Sequence, residues 1–180
     1  MLVITIPAGE QWDEANQCFI NTEEQTLELE HSLVSLSAWE SKWKKPFLSK
    51  NGMTAEETLD YIKCMTITKG VNPEVYNFLT SENISQIRDY IEDTMTATWF
   101  KEDGTKGSNR EQVTAELIYY WMIALNIPSE YQYWHLNRLL TLIRICNVKN
   151  QPAKKMSKRD IMSQNAALNA ARRKSHNTRG

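Results

Sequence analysis

The spacing of apolar residues changes period along the chain. Residues 2–6, LVITI, are a compact apolar run closed by Pro7-Ala8-Gly9. Residues 26–31, TLELEH, alternate, with Leu27 and Leu29 on one face and Glu28 and Glu30 on the other. Both segments read as strands. Glu10–Asp13 and Cys18–Ile20 read as two more short strands around a turn at Ala15-Asn16. A small, mostly antiparallel sheet is therefore expected over residues 1–31. A sheet of that size is not stable alone, so its apolar face must dock on helices.

From Leu33 the period becomes helical. Leu33, Leu36, Trp39, Glu40 and Trp43 fall on one stripe, and Pro46 stops the helix. After a polar loop at Ser49-Lys50-Asn51-Gly52, Thr54 and Glu57 form a capping box for a helix running through Met65. Leu59, Ile62, Met65 and Ile67 are expected to face inward. Gly70 and Asn72-Pro73 break the chain, and Pro73 starts a short helix over Glu74–Leu79. Ser81 caps another over Glu82–Asp93, with Ile84, Ile87 and Ile91 inward. Residues 101–109, KEDGTKGSN, read as an exposed loop.

The strongest pattern lies in Arg110–Val148. It reads as two long helices joined at Asn126-Ile127-Pro128, capped by Ser108-x-x-Glu111 and by Ser129-x-x-Gln132. Ile118, Trp121, Met122 and Leu125 recur at helical spacing, as do Tyr131, Trp134, Arg138 and Leu142. So short a break predicts an antiparallel pair on which the rest of the chain packs. Beyond Lys149-Asn150-Gln151-Pro152, which reads as a linker, Ser157-x-x-Asp160 caps a last helix with few large apolar residues. Such a helix is marginal in water, so it is expected to be mobile or ordered by a partner.

The expected fold class is α+β and mostly α, with a small N-terminal antiparallel sheet on a helical body. Residues 1–148 form one globular domain, with the sheet in 1–31 and the helices in 32–148. Residues 149–180 form a separate basic tail. A chain of 180 residues can bury such a core without disulfides or metal. Cys18, Cys64 and Cys146 are odd in number and show no C-x-x-C spacing, which fits a reducing cytoplasm. The N-terminus lacks the basic start of a signal peptide. The longest apolar run, Leu117–Leu125, is too short for a membrane span. A soluble, unsecreted protein without membrane contact is expected.

The net charge of −1 conceals an asymmetry. Residues 1–148 carry 12 Lys/Arg against 21 Asp/Glu, a net −9. Residues 149–180 carry 9 Lys/Arg against Asp160 alone, a net +8.

Catalytic constellations are not evident. His31 ends a strand, His135 falls in the second long helix and His176 in the tail, and none belongs to a known catalytic or phosphate-binding pattern. Gly104 and Gly107 follow acidic residues rather than an apolar strand. Glu56, Glu57, Asp60, Glu92 and Asp93 are exposed by helical phase. Glu40 and Arg138 lie near apolar stripes and read as snorkelling side chains or one structural ion pair. No enzyme activity, cofactor or metal is expected.

Trp39, Trp43, Tyr119, Tyr120, Trp121, Tyr131, Tyr133 and Trp134 are mainly core material, but the last six include adjacent residues that one face cannot bury together. The outward ones are candidates for a protein–protein surface, and Tyr119, Tyr120, Tyr131, Tyr133 and Trp134 form the candidate set. The basic residues Lys154, Lys155, Lys158, Arg159, Arg172, Arg173 and Lys174, with Arg179 beyond, form a second candidate contact. One reading has them on nucleic-acid phosphates. The other, favoured by the absence of aromatics and by the acidic body, is docking on an acidic or apolar protein surface, including the body of a neighbouring subunit.

The segments TLELEHSLVSLSAWESKWKKPFLS and TAELIYYWMIALNIPSEYQYWHLNRLLTLIRICN resemble a group of small proteins of long-tailed bacteriophages, the tail assembly chaperones. The likeness continues through ALNAARRKSHNTRG. It implies a non-enzymatic protein of the host cytoplasm that binds the tape-measure protein, keeps that coiled-coil polypeptide soluble, and helps the tail-tube protein polymerise around it. Self-association is compatible with this role. The alternatives are a nucleic-acid-binding accessory protein acting through the tail, and a virion connector or tail-completion protein.

Overall fold

The computed structural model describes residues 1–13, 17–49, 52–100, 112–150 and 157–176. The fold is α+β and mostly α. Two compact units divide the chain, Met1–Asn147 and Val148–Gly180. The expected turn at Ala15-Asn16, the loop over 101–109, the cap Ser108-x-x-Glu111, and Gln151-Pro152 of the linker lie outside the described residues.

The first unit opens with four strands, β1 (Leu2–Ile6), β2 (Gly9–Asp13), β3 (Cys18–Thr22) and β4 (Gln25–Leu29). β1 pairs with β4 and β2 with β3, both antiparallel. Partner numbers sum to 31 in both pairs, from Leu2↔Leu29 to Asp13↔Cys18. The four strands are thus one long hairpin in constant register, interrupted where Pro7-Ala8 faces Glu23-Glu24. Pro7 has no N–H to give to a ladder, which favours a break there. The break also turns the ribbon. Strict alternation from buried Ile6 would place Gly9 and Thr22 in solvent. Instead Thr22 is buried and its hydroxyl donates to the Gly9 carbonyl. A Cβ on Gly9 would lie 2.1 Å from the Phe78 ring, so glycine is the residue that lets this ring approach.

Ile4, Ile6, Leu27 and Leu29 form the inner face of β1–β4. They pack in one apolar cluster with Trp39, Tyr61, Ile62, Met65, Val75, Tyr76, Ile87 and Tyr90. These come from α1 (Leu33–Trp43), α2 (Ala55–Met65), a 3-10 segment (Pro73–Phe78) and α3 (Ser81–Glu92). The free edge of β4 is partly satisfied by the chain leaving α2, where Ile67 N–H donates to the Glu28 carbonyl and Glu30 N–H to the Met65 carbonyl. That pairing turns Ile67 into solvent, against its expected inward position.

Local chemistry fixes the helix ends. Thr54 and Glu57 make the expected capping box. Thr80, not Ser81, caps α3, in a reciprocal arrangement with Asn83. Glu57 is buried rather than exposed, because it closes its capping box and also meets Lys45. Asp60 is held by Lys42 and by the Trp43 indole N–H.

A second cluster joins Leu33 and Leu36 of α1 to Ala115, Ile118 and Met122 of α4 (Ala115–Ala124) and to Leu136, Leu139 and Ile143 of α5 (Leu136–Asn150). Leu33 and Leu36 are fully buried, each contributing about 1.5–3 kcal/mol. α1 therefore supplies Leu33 and Leu36 to one cluster and Trp39 to the other. It is the element on which both halves of the unit pack, whereas the apolar pattern predicts the C-terminal pair in that place.

That pair has different limits from those expected. Thr114 caps α4. Ser129 makes no cap: Ser129–Tyr133 is a separate 3-10 turn, and α5 begins only at Leu136. Its first free N–H, on Leu136, donates to the His31 carbonyl at 2.7 Å, so a tertiary partner replaces the side-chain cap. His135 consequently precedes the helix.

The second unit contains α6 (Lys158–His176). Ser157 caps it as expected, accepting from the Asp160 N–H at 3.1 Å. Ile161, Met162 and Leu168 are exposed. No described helix is long and apolar enough to cross a membrane.

Candidate functional site

The phase of α4 separates its residues into two faces. Ala115, Ile118 and Met122 are buried, while Tyr120 and Ile123, three residues apart on the opposite face, are 63% and 76% exposed. The helix then ends in a Schellman arrangement. Asn126 takes a left-handed φ of 52°, Ile127 N–H reaches the Met122 carbonyl at 2.8 Å, and Asn126 N–H reaches the Ile123 carbonyl at 3.1 Å. Ile127 folds back onto the second cluster. Asn tolerates this backbone conformation, and Pro128 cannot continue the helix.

The 3-10 turn then presents the other aromatics. Tyr131 stacks on Trp134 with centroids 4.1 Å apart at 16°, and the Arg138 guanidinium lies 4.0 Å from the Trp134 ring. Of the two readings for Arg138, a snorkelling side chain or an ion pair with Glu40, the ion pair is not formed, and Arg138 makes a cation–π contact with Trp134. The Tyr119 hydroxyl donates to the Gln132 side chain at 3.1 Å, tying α4 to the turn. Burial, with Tyr133 and Glu116 nearby, raises the Tyr119 phenol above its ordinary range.

The five candidate aromatics thus divide. Tyr120 and Tyr133 (63% exposed) point outward. Tyr119, Tyr131 and Trp134 are half-buried and set the position of the turn. Ile123 belongs with the outward residues, and only its helical phase relative to Ile118 and Met122 could have shown it. The result is an apolar, partly aromatic surface with phenol hydroxyls. It can hold apolar side chains and accept or donate a few hydrogen bonds.

A buried polar seam links the two clusters. His31 Nδ1 and the Tyr61 hydroxyl are 2.5 Å apart, and the His31 and His135 rings are 5.1 Å apart. His135 Nε2 lies 2.8 Å from the Tyr90 carbonyl, so this nitrogen carries the proton. Asn137 amide bonds to the Ile91 and Asp93 carbonyls complete the hold of the α5 start on the end of α3. Burial, then the neighbouring His135, lowers the pKa of His31 to about 3. A neutral imidazole closed off from solvent serves packing rather than surface acid–base chemistry. Among the described residues, no group of three or more His, Cys, Asp or Glu side chains is placed to hold a metal.

The basic candidates are grouped by α6. Lys158 and Arg159 lie in its first turn, and Arg172, Arg173 and Lys174 near its end, where cations suit the helix dipole. Lys154 and Lys155 lie outside the described residues. Comparison with known proteins found no matching family model, no similar curated protein and no similar solved structure.

Proposed function

We propose that the protein is a non-enzymatic tail assembly chaperone of a long-tailed bacteriophage, acting in the host cytoplasm. Its α4 face and the following turn hold apolar faces of the tape-measure protein while the tail-tube protein polymerises. The observation that supports this reading is the exposure of Tyr120, Ile123 and Tyr133 on elements pinned by Tyr119, Gln132, Tyr131 and Trp134. Exposed large apolar groups on a fixed scaffold suit an amphipathic helical client. The segment resemblance supplies the identity of that client. Co-expression with the tape-measure protein tests it: the client should become soluble and co-purify. A client that is equally soluble without the chaperone and does not co-purify would refute the reading.

The basic end of α6 favours a second reading, a nucleic-acid accessory protein. DNA binding that is lost on removal of residues 149–180 and falls steeply with salt would select it.

A further inference from the structure

The solvent face of the N-terminal hairpin ends in an uncovered aromatic pair. Trp12 and Phe19 are cross-strand partners, 47% and 59% exposed, with rings 4.9 Å apart in an edge-to-face arrangement. Glu10, Glu23, Glu24 and Glu28 are exposed along the same hairpin, and among the described residues none of the four has an ion-pair partner. Residues 1–41 contain eight Asp/Glu and no Lys or Arg. Lysine is the usual guard of an exposed strand edge, and here it is missing. A hairpin with exposed aromatic and carboxylate groups and no cation of its own disfavours nucleic acid and anionic lipid and attracts a Lys/Arg-rich polypeptide. The chain itself encodes such a polypeptide: residues 149–180 carry a net +8, whereas residues 1–30 carry seven Asp/Glu and no Lys or Arg.

We propose that the solvent face of the hairpin, centred on Trp12 and Phe19, docks the basic segment 149–180 of a second copy of this chain. Arg172, Arg173 and Lys174 meet the carboxylates and the Trp12 ring, and Ile161, Met162 and Leu168 supply apolar contact. Donor and acceptor surfaces differ, so the contact is heterologous: it closes into a ring or a reciprocal pair where the geometry allows and extends otherwise. Association therefore grows with concentration. The proposal does not depend on the client-binding face of α4.

Sedimentation velocity of the full chain tests it. At about 0.05 M salt the mass should rise with concentration, and at about 0.5 M salt the rise should vanish, because screening shortens the reach of the charges. Trp12→Ala with Phe19→Ala, and separately Arg172→Ser with Arg173→Ser and Lys174→Ser, should each weaken association about tenfold or more. Glu10→Gln with Glu24→Gln should weaken it while leaving the aromatic pair in place, which separates lost docking from a misfolded hairpin. Mixing the aromatic variant with the tail variant should restore a complex of two chains and no more, since each supplies the element the other lacks. A monomer at every concentration, association indifferent to these substitutions, or no two-chain complex in the mixture would overturn the proposal.

Discussion

Glu40 caps Ala115 from seventy-five residues away: its Oε2 accepts the Ala115 N–H at 2.8 Å, and its Oε1 accepts the Phe47 N–H at 2.7 Å. One buried carboxylate thus fixes the first turn of α4 and the chain leaving α1. Helix N-termini favour such an acceptor. Glu40→Ala leaves two N–H groups without this partner and should cost about 2–4 kcal/mol, as expected for lost charged acceptors in a buried site. Glu40→Gln keeps one carbonyl oxygen and should cost less. Urea unfolding at neutral pH reads both, and an unchanged midpoint for Glu40→Ala would contradict this role.

His31 gives the fold an acid limit. Its pKa falls from the ordinary 6.5 to about 3 in the native state, chiefly through burial and then through His135. Between those values the unfolded chain binds a proton that the folded chain does not. Stability therefore rises with pH through this window and levels off above it. From pH 6.5 down to pH 4 the loss assigned to His31 is about 3 kcal/mol. His31→Phe should flatten the difference between unfolding midpoints at pH 7 and pH 4. Equal slopes for variant and wild type would show that His31 does not set the limit.

Gly9 should not tolerate a side chain. The Phe78 ring occupies the place of its Cβ, so Gly9→Ala should cost about 1–3 kcal/mol by overpacking. Phe78→Leu in the same chain should recover part of that cost, a coupling that a double-mutant cycle measures directly. Additive effects would mean that the ring moves aside freely.

Elements that announce themselves locally were legible in the sequence. The alternation at Thr26–Glu30 gave β4, and Thr54 with Glu57 gave the start of α2. Ser157 with Asp160 gave the start of α6. Features set by distant partners were not legible. Ser129 and Gln132 have the spacing of a cap, yet the helix starts at Leu136 because the His31 carbonyl meets its N–H. Glu57 looked exposed by phase, but its capping box and Lys45 draw it inward. Glu40 and Arg138 looked like possible partners, while one caps Ala115 and the other lies over Trp134. In the candidate surface, adjacency in Tyr119-Tyr120-Trp121 and Tyr131-Gln132-Tyr133-Trp134 showed that some aromatics must face outward. Which ones do so depended on the Asn126 turn and on the separate 3-10 segment. Trp12 and Phe19 gave no sign, since their exposure follows from the turn of the ribbon at Pro7-Ala8.

The outward residues of α4 and of the 3-10 turn decide the functional proposal. Tyr120→Ser, Ile123→Ser and Tyr133→Ser together remove exposed apolar area and leave the clusters intact. Each alone should change stability by no more than about 0.5 kcal/mol, as surface substitutions usually do. The measurement is the soluble, co-purifying fraction of the tape-measure protein when it is co-expressed with the wild type or with the triple variant. The expected result is a soluble complex with the wild type and an insoluble client with a variant that is itself folded. A folded triple variant that still holds the client in solution would contradict the assignment of this surface.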